Sequence, residues 1–197
     1  MKRPLGKLRI IGGEFRSRLV EFDPEAGVRP TPDRVRQTLY DWLTPVIEGA
    51  SVLDLFAGSG ALGLEALSRG AARVTFVESG KPQCEAIDKA LAVLKVEDRA
   101  QVVNQDALAF LDVAAMGRSY NNIPVRYDVV LLDPPFDSEL VGASLSKLPP
   151  VLKARNRVYV EWHRGDAIPW PAGCTVLKEK KAGQVSYALA TFAGASA

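Results

Sequence analysis

Short, almost unbroken apolar runs alternate along the chain with stretches whose apolar positions recur at helical spacing, a pattern that predicts strands separated by single helices. The clearest run, Val52, Leu53, Leu55 and Phe56, stops at Ala57-Gly-Ser-Gly60, and a helix-favouring stretch at 61–68 follows at once. Further strands are predicted at 73–77, 101–104, 127–133 and 157–162, with helices at 82–94, 107–115 and 138–147 and a polar loop at 117–126. Strands linked through single helices imply an α/β fold on a mostly parallel sheet with right-handed crossovers. The two ends depart from this pattern. Residues 175–180 and 184–192 read as an antiparallel hairpin turning at Lys181-Ala-Gly183, and residues 8–22 as a small hairpin or arm broken by Gly12-Gly13. A helix at about 32–43 follows the arm, with Thr31 as its N-cap, Pro32 as first residue and Asp33 as a favourable first-turn charge. The expected organisation is an N-terminal arm, 1–30, and one domain, 31–197.

Gly58, Gly60 and Gly63 have the G-x-G-x-x-G spacing between a strand and a helix. The first glycine allows the tight turn, the second lets a ligand approach the backbone, and the third lets helix and strand pack closely. Such a turn binds a nucleotide-like cofactor without specifying which.

Charge changes the picture mainly at the N-terminus. The net charge is only +2, yet residues 1–36 carry +4 and the remainder −2. Lys2, Arg3, Lys7, Arg9, Arg16 and Arg18 are opposed only by Glu14 within the first eighteen residues, a density that attracts phosphate backbones and that a solvated basic tail would share. Arg29, Arg34 and Arg36 decorate the start of the predicted helix, either as solvated surface or as a grip on RNA phosphate or a cofactor carboxylate. Lys180 and Lys181, at the C-terminal hairpin, complete the candidate RNA contacts. Cys84 and Cys174 are far apart with no C-x-x-C spacing, so neither a disulfide framework nor a metal site is expected. No apolar run approaches bilayer length and the first residues lack the apolar middle of a signal peptide, which predicts a cytoplasmic protein.

In open α/β sheets ligands bind beyond the carboxyl ends of the strands, so Asp54 with Phe56-Ala-Gly-Ser-Gly60, Glu78, Asp106 with Ala107, and Asp133 are expected to converge on one crevice. Glu78 lies where a carboxylate accepts from both ribose hydroxyls, as compatible with NAD as with S-adenosylmethionine. Asp133-Pro-Pro-Phe136 decides between them. The proline pair removes two backbone donors and pushes Asp133 towards an extended conformation, so that its carboxylate and the Pro134 carbonyl face the crevice as acceptors while Phe136 offers a flat face. Two acceptors and a stacking surface suit the exocyclic amino group of a nucleobase, and a dehydrogenase has no use for them.

Asp133-Pro-Pro-Phe136 after a D-x-F-A-G-S-G turn resembles the amino-group methyltransferases of the class I S-adenosylmethionine-dependent fold. More narrowly, Arg9-Ile-Ile-Gly-Gly13, Arg29-Pro-Thr-Pro-Asp-Arg-Val-Arg36, the block from Asp54 to Gly70, Asp133-Pro-Pro-Phe136 and Ala182-Gly-Gln-Val185 together resemble the bacterial RsmD family over nearly the whole chain. The resemblance implies a Rossmann-like, seven-stranded sheet and methylation of guanine N2 in 16S rRNA of an assembled or nearly assembled small subunit. It further implies that the glycine turn, Glu78 and Asp106 hold the cofactor, with Asp106 at the adenine amino group and Asp54 at the methionine end. One departure is Gly80, where relatives often carry a second acid, which leaves the ribose contact to Glu78. Asp133-Pro-Pro-Phe136 also suits adenine N6 methylation, but the chain has no room for a separate DNA-recognition domain. An NAD-linked oxidoreductase and a non-catalytic RNA-binding factor are the other readings; the first leaves Asp133-Pro-Pro-Phe136 unexplained and the second the intact glycine turn.

Overall fold

A computed structural model describes residues 5–24, 30–117, 126–135 and 138–193. Of the residues singled out above, Lys2, Arg3, Arg29 and Phe136, and most of the polar loop at 117–126, lie outside the described residues.

The apolar run at the glycine turn forms a strand, β3 (Ser51–Leu55), because its side chains can be buried on both faces. It pairs in parallel with β4 (Arg73–Glu78) on one side and β6 (Tyr127–Leu132) on the other. Beyond β4 lies β5 (Ala100–Asn104); beyond β6 lies β7 (Leu152–His163), then β9 (Val185–Phe192) and at the edge β8 (Cys174–Ala182). The order is β5-β4-β3-β6-β7-β9-β8, and β9 alone runs against the others.

Alternation along the strands divides the core in two. Val129 and Leu131 face α1 (Asp33–Ile47), α2 (Ala61–Ser68) and α3 (Lys81–Leu94); Val130 and Leu132 face α4 (Ala107–Ala115) and α5 (Ser138–Lys147). Helix α2 is buried all round, including its polar Glu65 and Ser68. The sheet covers one side of it and an N-terminal hairpin, β1 (Gly6–Arg9) paired antiparallel with β2 (Leu19–Phe22), approaches the other.

The hairpin's connection is bonded to α2 by unusual means. The Glu65 carboxylate accepts the backbone N–H of Ile11 at 2.9 Å and of Gly12 at 2.8 Å, while the Ser68 hydroxyl accepts from Phe15 N–H and donates to the Gly12 carbonyl. Gly13 has φ +73°, and a Cβ there would lie 1.9 Å from the Ser68 carbonyl oxygen. Glycine is required by the closeness of the two backbones as well as by the turn. Leu8, Ile10, Phe15, Val20 and Phe22 join the core beneath.

Three boundaries differ from expectation. Helix α1 runs past Pro45 to Ile47, because burial of Ile47 outweighs one missing hydrogen bond near the helix end. Strand β7 begins at Leu152 rather than 157; the buried Asn156 side chain bonds both the N–H and the carbonyl of Phe192, so a polar stretch is held within the sheet. Strand β8 includes Lys181 and Ala182, and Gly183-Gln184 make the turn, with Gly183 at φ +58°.

Candidate active site

The strand order reverses between β3 and β6, and there, beyond the strands' carboxyl ends, lies a cleft of about 870 Å³. Its walls are the 30–32 segment, the glycine turn, Glu78, Gln105 to Ala107, Asp133 to Pro135, Glu161 and, from the β8–β9 turn, Ala182, Gln184 and Val185. Asp54, Phe56, Ala57, Gly58, Ser59, Glu78, Asp106, Ala107, Asp133 and Pro134 therefore share one cavity.

The turn after β3 reverses sharply. Phe56 takes φ +67°, uncommon for a side chain of its size, followed by Gly58 at +54° and Gly60 at +75°. Gly60 occupies the N-cap of α2, and a Cβ on Gly63 would lie 2.2 Å from the Phe76 ring. The third glycine lets α2 lie against β4. Glu78 holds the turn with one carboxylate: Oε2 accepts from Gly58 N–H at 2.8 Å and Oε1 from Gly80 N–H at 2.7 Å. Gly80 thus serves Glu78 through its backbone. Asp106 caps α4 by accepting from Ala109 N–H at 2.9 Å, and Asn104 spends its amide on the carbonyls of Glu78 and Ser79.

Three carboxyl groups here, two of them buried and Asp133 half-buried, stand without a cation: among the described residues no Lys or Arg pairs with Asp54, Asp133 or Glu161. Asp54, 2% exposed, accepts from Gly63 N–H at 2.8 Å, yet burial, reinforced by the charges of Asp133 and Glu78, pushes its pKa up to about 8. Burial pushes Asp133 up to about 6 against the Thr31 hydroxyl, which donates to Asp133 Oδ2 at 3.1 Å. Glu161, 4% exposed, is raised well above the ordinary carboxyl range by burial and by the charge on Asp133. Its Oε1 accepts from the Tyr159 hydroxyl at 2.7 Å.

Two sequence expectations are corrected. Thr31 is not the cap of α1; Pro32 stands at the N-cap without a side-chain bond, and the Thr31 hydroxyl serves Asp133 instead. Arg36 is not available to RNA. It is 1% exposed, its Nε donates to the Thr31 carbonyl, and its terminal nitrogens reach Glu65, Asp33 and the Arg9 carbonyl. Lys7, Arg9, Arg16, Arg18, Arg34, Lys180 and Lys181 are exposed, with Arg9 paired to Asp33 at 3.0 Å and Lys180 lying 5.9 Å from the Trp42 ring centre. Sequence reasoning missed Thr31 and Glu161 as cleft residues. Glu161 had a signal: a lone acid inside the apolar stretch Val158-Tyr-Val-Glu-Trp162 of the predicted fifth strand.

Strand order, the reversed β9 and a glycine turn at the switch point together make the class I methyltransferase fold, whose cofactor is S-adenosylmethionine. Residues 8–191 match the family model described as "Conserved hypothetical protein 95", and the chain belongs to this family, the RsmD family. It is 43% identical over 196 residues to "Ribosomal RNA small subunit methyltransferase D" of Escherichia coli (strain K12), covering 96% of this chain and 94% of that protein. The Haemophilus influenzae protein of the same name is 43% identical, with 93% of each chain covered. Among solved structures, yhhF from Escherichia coli superposes with a TM-score of 0.81 at 38% identity, over 96% of this chain and 99% of that one.

The site fits the cofactor. The cleft has the volume of a nucleotide-sized pocket, glycine backbone lines one wall, and buried carboxylates without cations favour a ligand carrying positive charge. S-adenosylmethionine carries such charge on its sulfonium and its ammonium.

Proposed function

We propose that this chain methylates the exocyclic amino group, N2, of one guanine in 16S rRNA of the small ribosomal subunit or its late assembly intermediate, acting as a cytoplasmic monomer. One observation carries the reading: a carboxylate followed by Pro134-Pro135 stands at the switch point beside the glycine turn, where it accepts from Thr31 and meets no cation among the described residues. The names of the relatives above support the substrate class.

S-adenosylmethionine, when bound, supplies an electrophilic methyl group. Asp54 would face its methionine end, the backbone of Gly58 to Gly60 and the Glu78 carboxylate would hold the ribose side, and Asp106 with Ala107 would flank the adenine. The guanine amino nitrogen is a poor nucleophile because its lone pair is delocalised into the ring. Asp133 and the Pro134 carbonyl accept its two N–H bonds, favour the pyramidal form, and offset the positive charge that develops on nitrogen, which then sheds one proton to Asp133 or to water. Phe136 provides the stacking face. Asp133 is ionised above a pKa of about 6 and is ready for this at neutral pH. The base leaves its stack to reach the cleft, while Lys7, Arg9, Arg16, Arg18, Arg34, Lys180 and Lys181 contact phosphates.

The test is methyl transfer from labelled cofactor to purified small subunits, naked 16S rRNA and duplex DNA, followed by nucleoside analysis. N2-methylguanosine on subunits or RNA is expected. N6-methyladenine would keep the site and overturn the substrate, and no label anywhere would overturn the enzyme.

A further inference from the structure

Glu161 plays no part in the mechanism above, yet it is a buried carboxyl lining the same cleft. Leu132 of β6 is in register with Val160 of β7, so the next residues, Asp133 just past the end of β6 and Glu161 within β7, stand side by side. The Thr31 hydroxyl donates to Asp133 Oδ2 at 3.1 Å. A hydroxyl has one hydrogen. With that hydrogen committed to Asp133, the Thr31 hydroxyl has none left for Glu161. Two adjacent carboxyls in a buried site without a cation share one proton in any case, because both cannot ionise cheaply. The deeper member is Glu161, which Tyr159 holds from the other side at 2.7 Å.

Building on the proposed methylation, we propose that Glu161 and Thr31 are positioning residues for Asp133. Glu161 keeps the proton that the two carboxyls share while the Thr31 hydroxyl donates to Asp133, so that the single negative charge of the pair rests on the carboxylate facing the substrate amino group. No proton is consumed in this arrangement; Glu161 holds the same one before and after methyl transfer. The groups around the pair are consistent with a neutral Glu161: Tyr159 on its own strand, Tyr187 on β9 with its ring centre 6.1 Å from that of Tyr159, Asp133 beside it, and Asp54 and Glu78 across the cleft. Arg36 donates to the Thr31 carbonyl, which fixes the threonine backbone, and forms its ion pairs with Asp33 and Glu65 rather than with the dyad.

The experiment compares Glu161→Ala and Glu161→Gln for kcat against pH, and for the infrared band of a protonated carboxyl at neutral pH. Glu161→Ala is expected to lower kcat by about 100-fold, and Glu161→Gln, whose amide still donates, to recover to within about tenfold of the unsubstituted enzyme. The acid limb of the profile, set by Asp133, stays in Glu161→Gln while the alkaline limb, where Glu161 loses its proton, disappears. Glu161→Gln also lacks one protonated-carboxyl band. A glutamine variant as slow as the alanine variant, an alanine variant at full rate, or an unchanged infrared band would overturn the dyad. If Glu161→Ala does not fold, Thr31→Val and Thr31→Ser take its place: the valine should be slow and the serine recover, and equal rates would overturn the arrangement. The infrared comparison decides the dyad even if the methylated base proves not to be guanine.

Discussion

Glu65 and Asp54 are both buried carboxylates, on α2 and on the strand that precedes it, and their surroundings are opposite. Glu65, with none of its side chain exposed, accepts from two backbone N–H groups and pairs with Arg69 at 2.9 Å and Arg36 at 3.4 Å. Asp54 accepts from one N–H and, among the described residues, meets no cation; its charged neighbours are other carboxylates. A carboxylate whose partners are all inside the protein does structural work, here docking the N-terminal hairpin on α2. One whose partners are missing marks where a ligand belongs. Arg36 joins the two regions, since the same guanidinium that meets Glu65 donates to the carbonyl of Thr31, and Thr31 donates to Asp133. Docking of the hairpin therefore helps place a cleft residue.

The comparison predicts opposite signs for the two removals. Glu65→Ala takes an ion-pair partner from Arg36 and Arg69 and the acceptor from two half-buried N–H groups, and should cost about 3–5 kcal/mol in urea unfolding; a loss below ~1 kcal/mol would show that the docking is incidental. For Asp54 the folded-state pKa lies above the unfolded one, so the folded protein binds the proton more tightly and stability falls as pH rises from 3.8 to about 8. Asp54→Asn keeps an acceptor for Gly63 N–H, and without cofactor it should be more stable than the unsubstituted protein at pH 8 by on the order of a few kcal/mol, with the gain fading towards pH 4. Destabilisation at pH 8 would place Asp54 in the same class as Glu65. Gly63→Ala sharpens the geometry of the glycine turn: its Cβ meets the Phe76 ring at 2.2 Å, and a loss of about 1–3 kcal/mol is expected in the same unfolding assay. The smallest effect belongs to the exposed Lys181. Lys181→Ala should leave the melting temperature unchanged and lower the slope of log affinity for RNA against log salt by about one; an unchanged slope would remove Lys181 from the RNA surface.

Most of the sheet was legible because its strands are buried on both faces and read as unbroken apolar runs, as at 127–132, and because α2 and α4 are bounded by a glycine turn and an Asp cap. The carboxylates at the first four strand ends followed from one rule about open sheets. What the sequence hid was pairing across long separations. Nothing local distinguishes Arg34, which is exposed, from Arg36, which is buried; the difference is Glu65, twenty-nine residues on. Thr31 has every local mark of a helix cap, and its hydroxyl goes instead to Asp133, 102 residues away. Glu161 was visible as an acid in an apolar strand, but its meaning depends on the register that sets β7 beside β6.

The central claim is that Asp133 acts on the substrate amino group while other residues hold the cofactor. Asp133→Ala, assayed for labelled methyl transfer to small subunits and for S-adenosylmethionine binding by calorimetry, tests it most directly. Turnover should fall by roughly 10²–10⁴-fold with cofactor affinity within about threefold of the unsubstituted protein. Full turnover, or a loss of turnover matched by an equal loss of cofactor affinity, would contradict the account.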